Sequence, residues 1–449
     1  MTTDTTEAMT TDTTETMTTD KPRTWLVTGS SRGLGREIVL AALRQGNRVV
    51  ATARRAEQLD DLAADFPGRL LAVRLDVTDS DAAVAAVQTA VTEFGSLDVL
   101  VNNAGYADLA SVEDSTLDAF RAQIDTNLFG VVNVTKAALP VLREQGRGHI
   151  ITVSSVGGRV ATPGLSAYQS AKWAVNGFTE VLASEVAPLG IKVTTIEPGG
   201  MRTDWAGSSM TVPATSEPYA GTVGLVAAAM AGAGENALGD PAKVAQVVTR
   251  LVDLPEPPPR LVLGSEALAY ARAAARTLAD RDAAWAELSR STDRDDATDQ
   301  QRDPLGQLAN DPETAVRRFL DEVVNGGDLS KVDELWAEDL RWHGGSLGDV
   351  RGLAAFKTMM ATSAADAFTG MRLDVQDVIT SGDKVVVRFT NSGTHTGPFM
   401  GTPATGRHAE WLGIGIYAVA GGRIAEAWFG EDILGMLLQL EAVTLPTPA

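Results

Sequence analysis

The chain contains no cysteine among its 449 residues and only four histidines. Without cysteine, disulfide bonds, thiolate nucleophiles and metal sites built on thiolate ligands are excluded. No uninterrupted apolar run approaches the roughly 20 residues that a membrane-spanning helix needs. The first residues are polar and acidic, unlike a secretory signal, so we expect a cytoplasmic protein that does not enter a membrane.

Basic residues are also in short supply. The 38 Lys and Arg residues stand against 58 Asp and Glu residues, for a net charge of -20. Such a balance disfavours binding to nucleic acid, although a local basic pocket for a cofactor phosphate remains compatible with it. The share of hydrophobic residues, 44%, is typical of folded proteins, and the length exceeds one ordinary core. We therefore expect two domains.

The first two segments differ sharply in pattern. Residues 1–23 are a near-repeat of Thr and acidic residues, which predicts a disordered tail. Residues 24–289 alternate short β-branched runs with amphipathic stretches, which predicts an α/β domain with a doubly wound parallel sheet of the Rossmann type. Its predicted strands are TWLVTG, RVVATA, LLAVRLDV, LDVLVNNAG, GHIITVSS and IKVTTIEPG.

The rest of the chain does not alternate strands with helices. Residues 290–312 are charged and poor in large apolar side chains, and we interpret them as a linker. Residues 313–445 begin with three predicted helices, ETAVRRFLDEVVNGG, KVDELWAED and GLAAFKTMMATSA. Period-two runs then predict strands at Leu373–Thr380, Lys384–His395, His408–Val419 and Arg423–Phe429. Helices followed by a mostly antiparallel sheet indicate an α+β domain.

A glycine-rich turn joins the first predicted strand to a helix. It has the spacing TGxxxGxG, with Gly29, Gly33 and Gly35. Glycine permits close backbone approach, and the helix N-terminus offers N–H groups to a pyrophosphate. The next strand ends at Arg54 and Arg55, where an acidic residue would bind a ribose 2′-hydroxyl. Together with Arg32, this predicts a 2′-phosphate partner and therefore NADP(H); solvated loop charges are the alternative reading of these arginines.

Tyr168 and Lys172 are four residues apart and would share one face of a helix. A nearby ammonium favours phenolate and lowers the pKa of a tyrosine, which is otherwise about 10. Ser155 ends the strand GHIITVSS, where a hydroxyl can hold a substrate carbonyl. Ser154 is its neighbour, and periodicity does not choose between them.

These motifs, in this order, resemble those of the short-chain dehydrogenase/reductase family over about Trp25 to Ser289. The resemblance rests on TGSSRGLG, NNAG, NLFG and YxxxK. It implies hydride transfer between NADP(H) and a carbonyl or alcohol carbon. Tyr168 would be the proton donor, Ser155 would polarise the carbonyl, Lys172 would hold the ribose and lower the Tyr168 pKa, and Asn127 would support a proton-relay water. Further cofactor contacts are implied for Ser31, Arg32, Leu34, Asp76, Val77, Asn103, Ala104, Gly105, Pro198, Gly199 and Thr203.

The segment from about Asp311 to Leu440 resembles the SnoaL-like polyketide cyclase family, of nuclear transport factor 2-like fold. The resemblance implies a cone-shaped α+β barrel, an acid–base carboxylate at Asp432, and pocket histidines at His343 and His395. Glu431 could instead be the inward carboxylate, with Asp432 capping the following helix. The histidines have no HxH or HExxH spacing, so no metal site is expected.

The sequence thus predicts a bifunctional bacterial-type enzyme. An NADPH-dependent ketoreductase would be fused to a SnoaL-like domain that carries out a cyclase- or isomerase-type step on the same polyketide-like or aromatic carbonyl compound. Two alternatives stay open for the second domain: it oxygenates the reduced substrate, or it is a non-catalytic module for binding or dimerisation. We expect a small-molecule substrate and a homo-oligomer. The segment Met201 to Gly239, rich in small residues, is interpreted as a substrate lid.

Overall fold

The computed structural model describes residues 21–203, 210–231, 236–305, 311–344, 348–362 and 367–443. Most of the predicted tail and parts of the predicted lid lie outside these residues. The chain divides into two compact units after Ala286. Within the described ranges, no helix combines the length and the apolar character that crossing a bilayer requires.

The strands of the first unit, including the short pair β5 and β8, are β1 Thr24–Val27, β2 Arg48–Ala53, β3 Leu70–Arg74, β4 Val99–Asn102, β5 Ala107–Asp108, β6 Gly148–Val153, β7 Ile191–Pro198, β8 Met210–Thr211 and β9 Arg260–Leu263. Seven of them form a sheet in the order β3-β2-β1-β4-β6-β7-β9, and all neighbouring strands are parallel. The prediction of a Rossmann-type sheet is therefore confirmed. Edge strand β9 was not predicted, because a four-residue run after a proline-rich turn carries little signal.

Helices cover both faces of this sheet, as parallel strands require. Trp25 and Val27 of β1 pack into one apolar cluster, and Leu26 between them packs into the other. The helices are Gly33–Arg44, Asp60–Asp65, Ser80–Phe94, Leu117–Ile124, Gly130–Gln145, Ser166–Val186, Leu225–Met230, Pro241–Asp253 and Ser265–Ala284. Shorter 3-10 or π-helical segments are Ala56–Leu59, Asp125–Phe129, Val156–Gly158, Ala187–Leu189, Glu217–Tyr219 and Ala220–Gly224.

The strands of the second unit are β10 Trp336–His343, β11 Asp349–Arg351, β12 Phe368–Ser381, β13 Lys384–His395, β14 His408–Ala420 and β15 Arg423–Glu431. They form a six-stranded mixed sheet packed against helices, in the order β11-β10-β15-β14-β13-β12. Within the described ranges, β10 and β15 pair in parallel and the other neighbours are antiparallel, so the predicted α+β cone is confirmed. The helical segments from Ala286 to the end of the described residues are Ala286–Arg290, Asp299–Arg302, Pro312–Arg318, Phe319–Asn325, Leu329–Lys331, Val332–Leu335, Leu353–Thr362 and Ile433–Gln439.

One predicted helix of this unit is wrong. The run KVDELWAED was predicted to be helical throughout, but the helix ends at Leu335 and strand β10 begins at Trp336. Trp336, Leu340 and Trp342 are buried in the core, whereas the residues between them are more exposed. A strand places these large side chains on one face of the sheet, and this tertiary packing overrides the local helix propensity.

Candidate active sites

The first site is a cavity of about 1580 Å3 at the carboxyl ends of the parallel strands. Loops that follow strand ends are the usual place for a ligand in a doubly wound sheet. The cavity is lined by every predicted cofactor-binding residue of the first domain, together with Ser155. These residues are Gly29, Ser31, Arg32, Gly33, Leu34, Gly35, Arg54, Asp76, Val77, Asn103, Ala104, Gly105, Tyr168, Lys172, Pro198, Gly199 and Thr203.

The glycine turn leaves no room for side chains. Gly29 has a φ of +64°, and a Cβ on it would lie 2.8 Å from the Ala104 Cα. A Cβ on Gly35 would lie 2.4 Å from the Gly29 carbonyl oxygen. Thr28 joins this turn to the NNAG segment, since its Oγ1 accepts hydrogen bonds from the backbone N–H groups of Asn103 and Ala104, at 2.9 and 3.0 Å. This close-packed cradle fits a dinucleotide pyrophosphate.

Cationic side chains lie where the adenosine ribose is expected. Strand β2 ends at Ala53, and Arg54 and Arg55 follow it as exposed residues at the cavity wall. Asp76 is the acidic residue on the next loop. Burial opposes its ionisation, but hydrogen bonds from Thr78 and the nearby charge of Arg54 hold the Asp76 pKa below its usual value.

Tyr168 and Lys172, the predicted catalytic pair, both lie on the helix Ser166–Val186 and are buried. The Lys172 Nζ donates a hydrogen bond to the Val153 carbonyl oxygen at 2.8 Å, and it lies 5.7 Å from the centre of the Tyr168 ring. Tyr168 and Lys172 therefore share one helix face, as their spacing predicts.

The structure also distinguishes the two serines. Ser155 is hydrogen-bonded to Tyr168, and its Oγ accepts the Gly157 N–H at 3.0 Å. Ser154 Oγ instead donates to the Lys172 backbone carbonyl, at 3.4 Å. Ser155 is therefore the serine beside Tyr168, and the catalytic roles of both residues stay predictions.

Burial raises the pKa of Tyr168 to about 12, and its hydrogen bond with Ser155 acts in the opposite direction. Burial lowers the pKa of Lys172 to about 8. The sequence assigned the lowering of the Tyr168 pKa to Lys172, whereas in this structure Ser155 is the group that lowers it. At neutral pH Tyr168 is therefore protonated, as a donor to a carbonyl oxygen must be.

Asn127 lies in the π-helical segment Asp125–Phe129 and is fully buried. Its side-chain Oδ1 accepts the Tyr106 N–H at 3.0 Å, and its Nδ2 donates to the Tyr106 carbonyl oxygen at 2.7 Å. The amide thus fixes the loop after β4, close to Gly105, where an added Cβ would lie 2.8 Å from Asn127 Oδ1. A role in proton relay stays a prediction, while the anchoring of Tyr106 is visible.

The ionisation of Lys172 leads to a pH prediction. We expect kcat/KM for carbonyl reduction to be level through neutral pH and to fall above about pH 8. Lys172 then loses its charge, which is predicted to hold the ribose and to support a developing phenolate. Initial rates between pH 6 and 10 measure this. The variant Lys172→Met should be slow at every pH and should lack the decline; a parent profile that is flat to pH 10 would contradict the assignment.

In the second domain, two predicted pocket residues lie elsewhere. Trp342 points into the core, so the adjacent His343 lies on the opposite face of β10. There its Nε2 is 2.9 Å from Glu426 Oε1, and its ring stacks on Trp428 at 5.5 Å between centroids. The hydrogen bond with Glu426 raises the His343 pKa. The placement of His343 in the pocket is therefore wrong.

Asp432 is the second correction. It is exposed, and its Oδ1 accepts the Gly435 N–H at 2.8 Å, which makes it the N-cap of the helix Ile433–Gln439. Strand β15 ends at Glu431, and successive strand residues point to opposite faces. Because the preceding residue takes the inward position, Asp432 faces solvent, and its placement as the pocket carboxylate is wrong.

Glu431 is the inward carboxylate. Its Oε1 accepts hydrogen bonds from Asn391 Nδ2 at 2.5 Å and Trp411 Nε1 at 3.2 Å. Burial raises the Glu431 pKa, and the two hydrogen bonds only partly oppose this. Asn391 and Trp411 were not predicted. The signal was available, since Asn391 follows Val385, Val387 and Phe389 at a spacing of two residues on the inward face of β13.

His395 lies inside the second domain, as predicted, and is fully buried. Its Nδ1 accepts the Thr405 N–H at 3.3 Å, so Nε2 carries the proton. The centroid of its ring lies 5.2 Å from that of the Phe368 ring. The Phe368 centroid in turn lies 5.4 Å from that of Trp411, which is hydrogen-bonded to Glu431. Buried polar atoms without a hydrogen-bond partner among the described residues include His395 Nε2 and the Tyr417 hydroxyl. Polar groups and aromatic walls therefore meet in one interior region.

Comparison with known proteins agrees with both geometries. Residues 23–212 match the short chain dehydrogenase family model, and residues 314–440 match that of SnoaL-like polyketide cyclases. Over 60% of this chain, an oxidoreductase of Botryotinia fuckeliana, BOA17, is 53% identical, and the match covers 98% of that protein. A short-chain dehydrogenase structure from Streptomyces avermitilis is 37% identical with a TM-score of 0.58, covering 62% of this chain and all (100%) of that one.

A third relative is the 3-alpha-(or 20-beta)-hydroxysteroid dehydrogenase of Mycobacterium tuberculosis, 40% identical over 40% of this chain and 70% of that protein. The fold, the cavity and these similarities together define the class. The chain belongs to the short-chain dehydrogenase/reductase family, and it carries a SnoaL-like domain after its reductase domain.

Proposed function

We propose that the chain is an NADPH-dependent ketoreductase whose fused SnoaL-like domain performs a cyclase- or isomerase-type step on the same polyketide-like or aromatic carbonyl compound. The observation that carries the reductase half is Tyr168, buried, protonated and hydrogen-bonded to Ser155 in a cavity built for a dinucleotide. The exposed Arg54 at the end of β2 supports NADPH, because a guanidinium pairs with a 2′-phosphate.

In this reaction the chain positions and protonates the substrate. When bound, NADPH supplies the hydride. Ser155 holds the carbonyl oxygen of the substrate, and Tyr168 transfers its hydroxyl proton to that oxygen. Lys172, whose Nζ donates a hydrogen bond to the Val153 carbonyl oxygen, would hold the ribose of the cofactor and stabilise the phenolate that remains. Pro198 and Gly199 line the cavity and would lie beside the nicotinamide.

Glu431 supports the proposal for the second domain. A carboxylate with a raised pKa is a better proton acceptor from a carbon next to a carbonyl. The donors on His395 Nε2 and Tyr417 are suited to bind substrate oxygens, and Phe368 and Trp411 offer flat apolar walls. The common chain raises the effective concentration of the second site for the product of the first.

Two adjacent carboxylates give the test. We expect Glu431→Gln to stop the second conversion, so that the reduced intermediate accumulates while NADPH oxidation continues, because hydride transfer takes place in the first domain. Asp432→Asn, the matched control, keeps a capping side chain and should leave the products unchanged. Mass spectrometry of the products of the intact chain, of both variants and of the separately expressed halves measures this.

Each outcome assigns one function. A product from Glu431→Gln identical to that of the parent would remove the acid–base role and favour a binding or dimerisation module. A product that gains oxygen and depends on the second half would favour the oxygenase. Failure of the isolated first half to oxidise NADPH with any carbonyl compound would overturn the ketoreductase.

A further inference from the structure

A buried carboxylate outside the predicted catalytic set lies at the end of β7. Glu197 has no exposed surface, and its Oε2 accepts a hydrogen bond from Arg159 Nε at 2.7 Å. Its Oε1 accepts from Asn176 Nδ2 at 3.0 Å and from Arg260 Nε at 3.2 Å. An ionised carboxylate persists in the interior only with such partners, so the four side chains act as one unit.

The first two partners belong to two elements: Ser155 with the turn Val156–Gly158, here called the serine turn, and the helix Ser166–Val186, here called the tyrosine helix. Arg159 directly follows the 3-10 turn Val156–Gly158, and Ser155 is the N-cap of this turn. Asn176 Nδ2 donates to the Gly158 carbonyl oxygen at 3.1 Å as well as to Glu197. The contact is tight, since a Cβ on Gly158 would lie 2.4 Å from Asn176 Nδ2. Glu197 therefore holds the far end of the turn that carries Ser155.

The same carboxylate is connected to the other two catalytic elements. Asn176 lies four residues after Lys172 and eight after Tyr168 on the helix Ser166–Val186, so all three share one helix face. In the chain, Glu197 immediately precedes Pro198 and Gly199, which line the cavity. One side chain thus joins the serine turn, the tyrosine helix and the strand end beside the nicotinamide.

We propose that Glu197 is a positioning residue for the reductase, which sets the placement of Ser155 relative to the Pro198–Gly199 segment through Arg159 and Asn176. This inference rests on the proposed reductase function of the first domain. Arg260 extends the unit outward to the partly exposed Glu180, at 2.6 Å. The outer pair lies farther from the cavity and provides a matched control.

Two binding probes and one rate test the proposal. Glu197→Gln keeps the size of the side chain and removes the charge that holds Arg159. We expect it to weaken NADPH binding about 3- to 10-fold and to leave binding of 2′,5′-ADP unchanged, since only the nicotinamide half contacts the displaced segment. The kcat for an α-dicarbonyl probe, 9,10-phenanthrenequinone, should fall at least about tenfold, as expected when reacting groups are misplaced by about 1 Å. Glu180→Gln should stay within about twofold of the parent in all three.

Arg159→Met covers the case in which Glu197→Gln does not fold, because Arg159 is 30% exposed and its loss leaves Glu197 with Arg260 and Asn176. It should reproduce the selective loss of NADPH binding, and the double variant should lose no more than Glu197→Gln alone. Equal weakening of NADPH and 2′,5′-ADP, or a lower melting temperature with unchanged kcat and NADPH affinity, would reduce Glu197 to a stabilising residue. If the parent protein prefers NADH, only the proposed binding of a 2′-phosphate is overturned. The positioning role of Glu197 is then tested in the same way, with NADH in place of NADPH and 5′-ADP in place of 2′,5′-ADP.

Discussion

Tyr168→Phe should abolish NADPH-dependent carbonyl reduction, with a loss of about 10² to 10⁴-fold in kcat, the range of general acid catalysis. Phe keeps the ring that packs in the helix Ser166–Val186 and removes only the hydroxyl that is bonded to Ser155. NADPH affinity and melting temperature should therefore change little. Absorbance at 340 nm measures turnover, and quenching of protein fluorescence measures NADPH binding.

The control for this variant is a second tyrosine at the same cavity. Tyr270 lines the wall from the helix Ser265–Ala284 and is 52% exposed. Tyr270→Phe should keep at least about half of the parent turnover, because its hydroxyl donates no proton to the reaction. Retained turnover in Tyr168→Phe would exclude Tyr168 as the donor, whatever the behaviour of Tyr270→Phe.

Arg54→Asp should reverse the preference between NADPH and NADH. Hydrogen bonds to charged groups contribute about 1.5–3 kcal/mol, so loss of the guanidinium should weaken NADPH binding about 10- to 100-fold. The new carboxylate would repel a 2′-phosphate and accept hydrogen bonds from the ribose hydroxyls of NADH. Dissociation constants for both cofactors, measured in parent and variant at one salt concentration, test this.

Arg121→Asp makes the same change of charge on an exposed helix residue that does not line the cavity. It should leave both affinities within about twofold of the parent, which separates a local contact from the effect of net charge. A parent that binds NADPH and NADH equally would show that Arg54 and Arg55 are solvated loop charges, the alternative that the sequence left open.

The sequence predicted the site of the first domain well because most residues of that site belong to short local motifs. Gly29 and Gly35 are recognisable since only glycine fits their close contacts, and Gly33 since its φ is +56°. The four-residue spacing of Tyr168 and Lys172 follows from helix geometry. The choice between Ser154 and Ser155 needed the structure. Both follow β6, and only the path of the chain into the Val156–Gly158 turn directs Ser155 to Tyr168.

The second site shows the opposite case. Glu431 and Asp432 are adjacent carboxylates, and a shift of one residue reverses which of them faces the interior. The sequence favoured Asp432 by resemblance, but strand β15 continues to Glu431, so Asp432 becomes a helix cap. His343 was misplaced because β10 was not predicted as a strand. This strand directs Trp342 inward, so the adjacent His343 lies on its opposite face.

By itself, the sequence determined the two domain types, the glycine turn, the tyrosine–lysine pair and the cationic end of β2, because each depends on spacing within a single segment. Only the tertiary structure decided which of two neighbouring side chains faces a site, and which distant residues meet there. Glu197, Arg159, Asn176 and Arg260 are spread over four segments and form one unit only after the sheet and its helices have packed. Contacts between distant segments depend on packing and register, which no local pattern records.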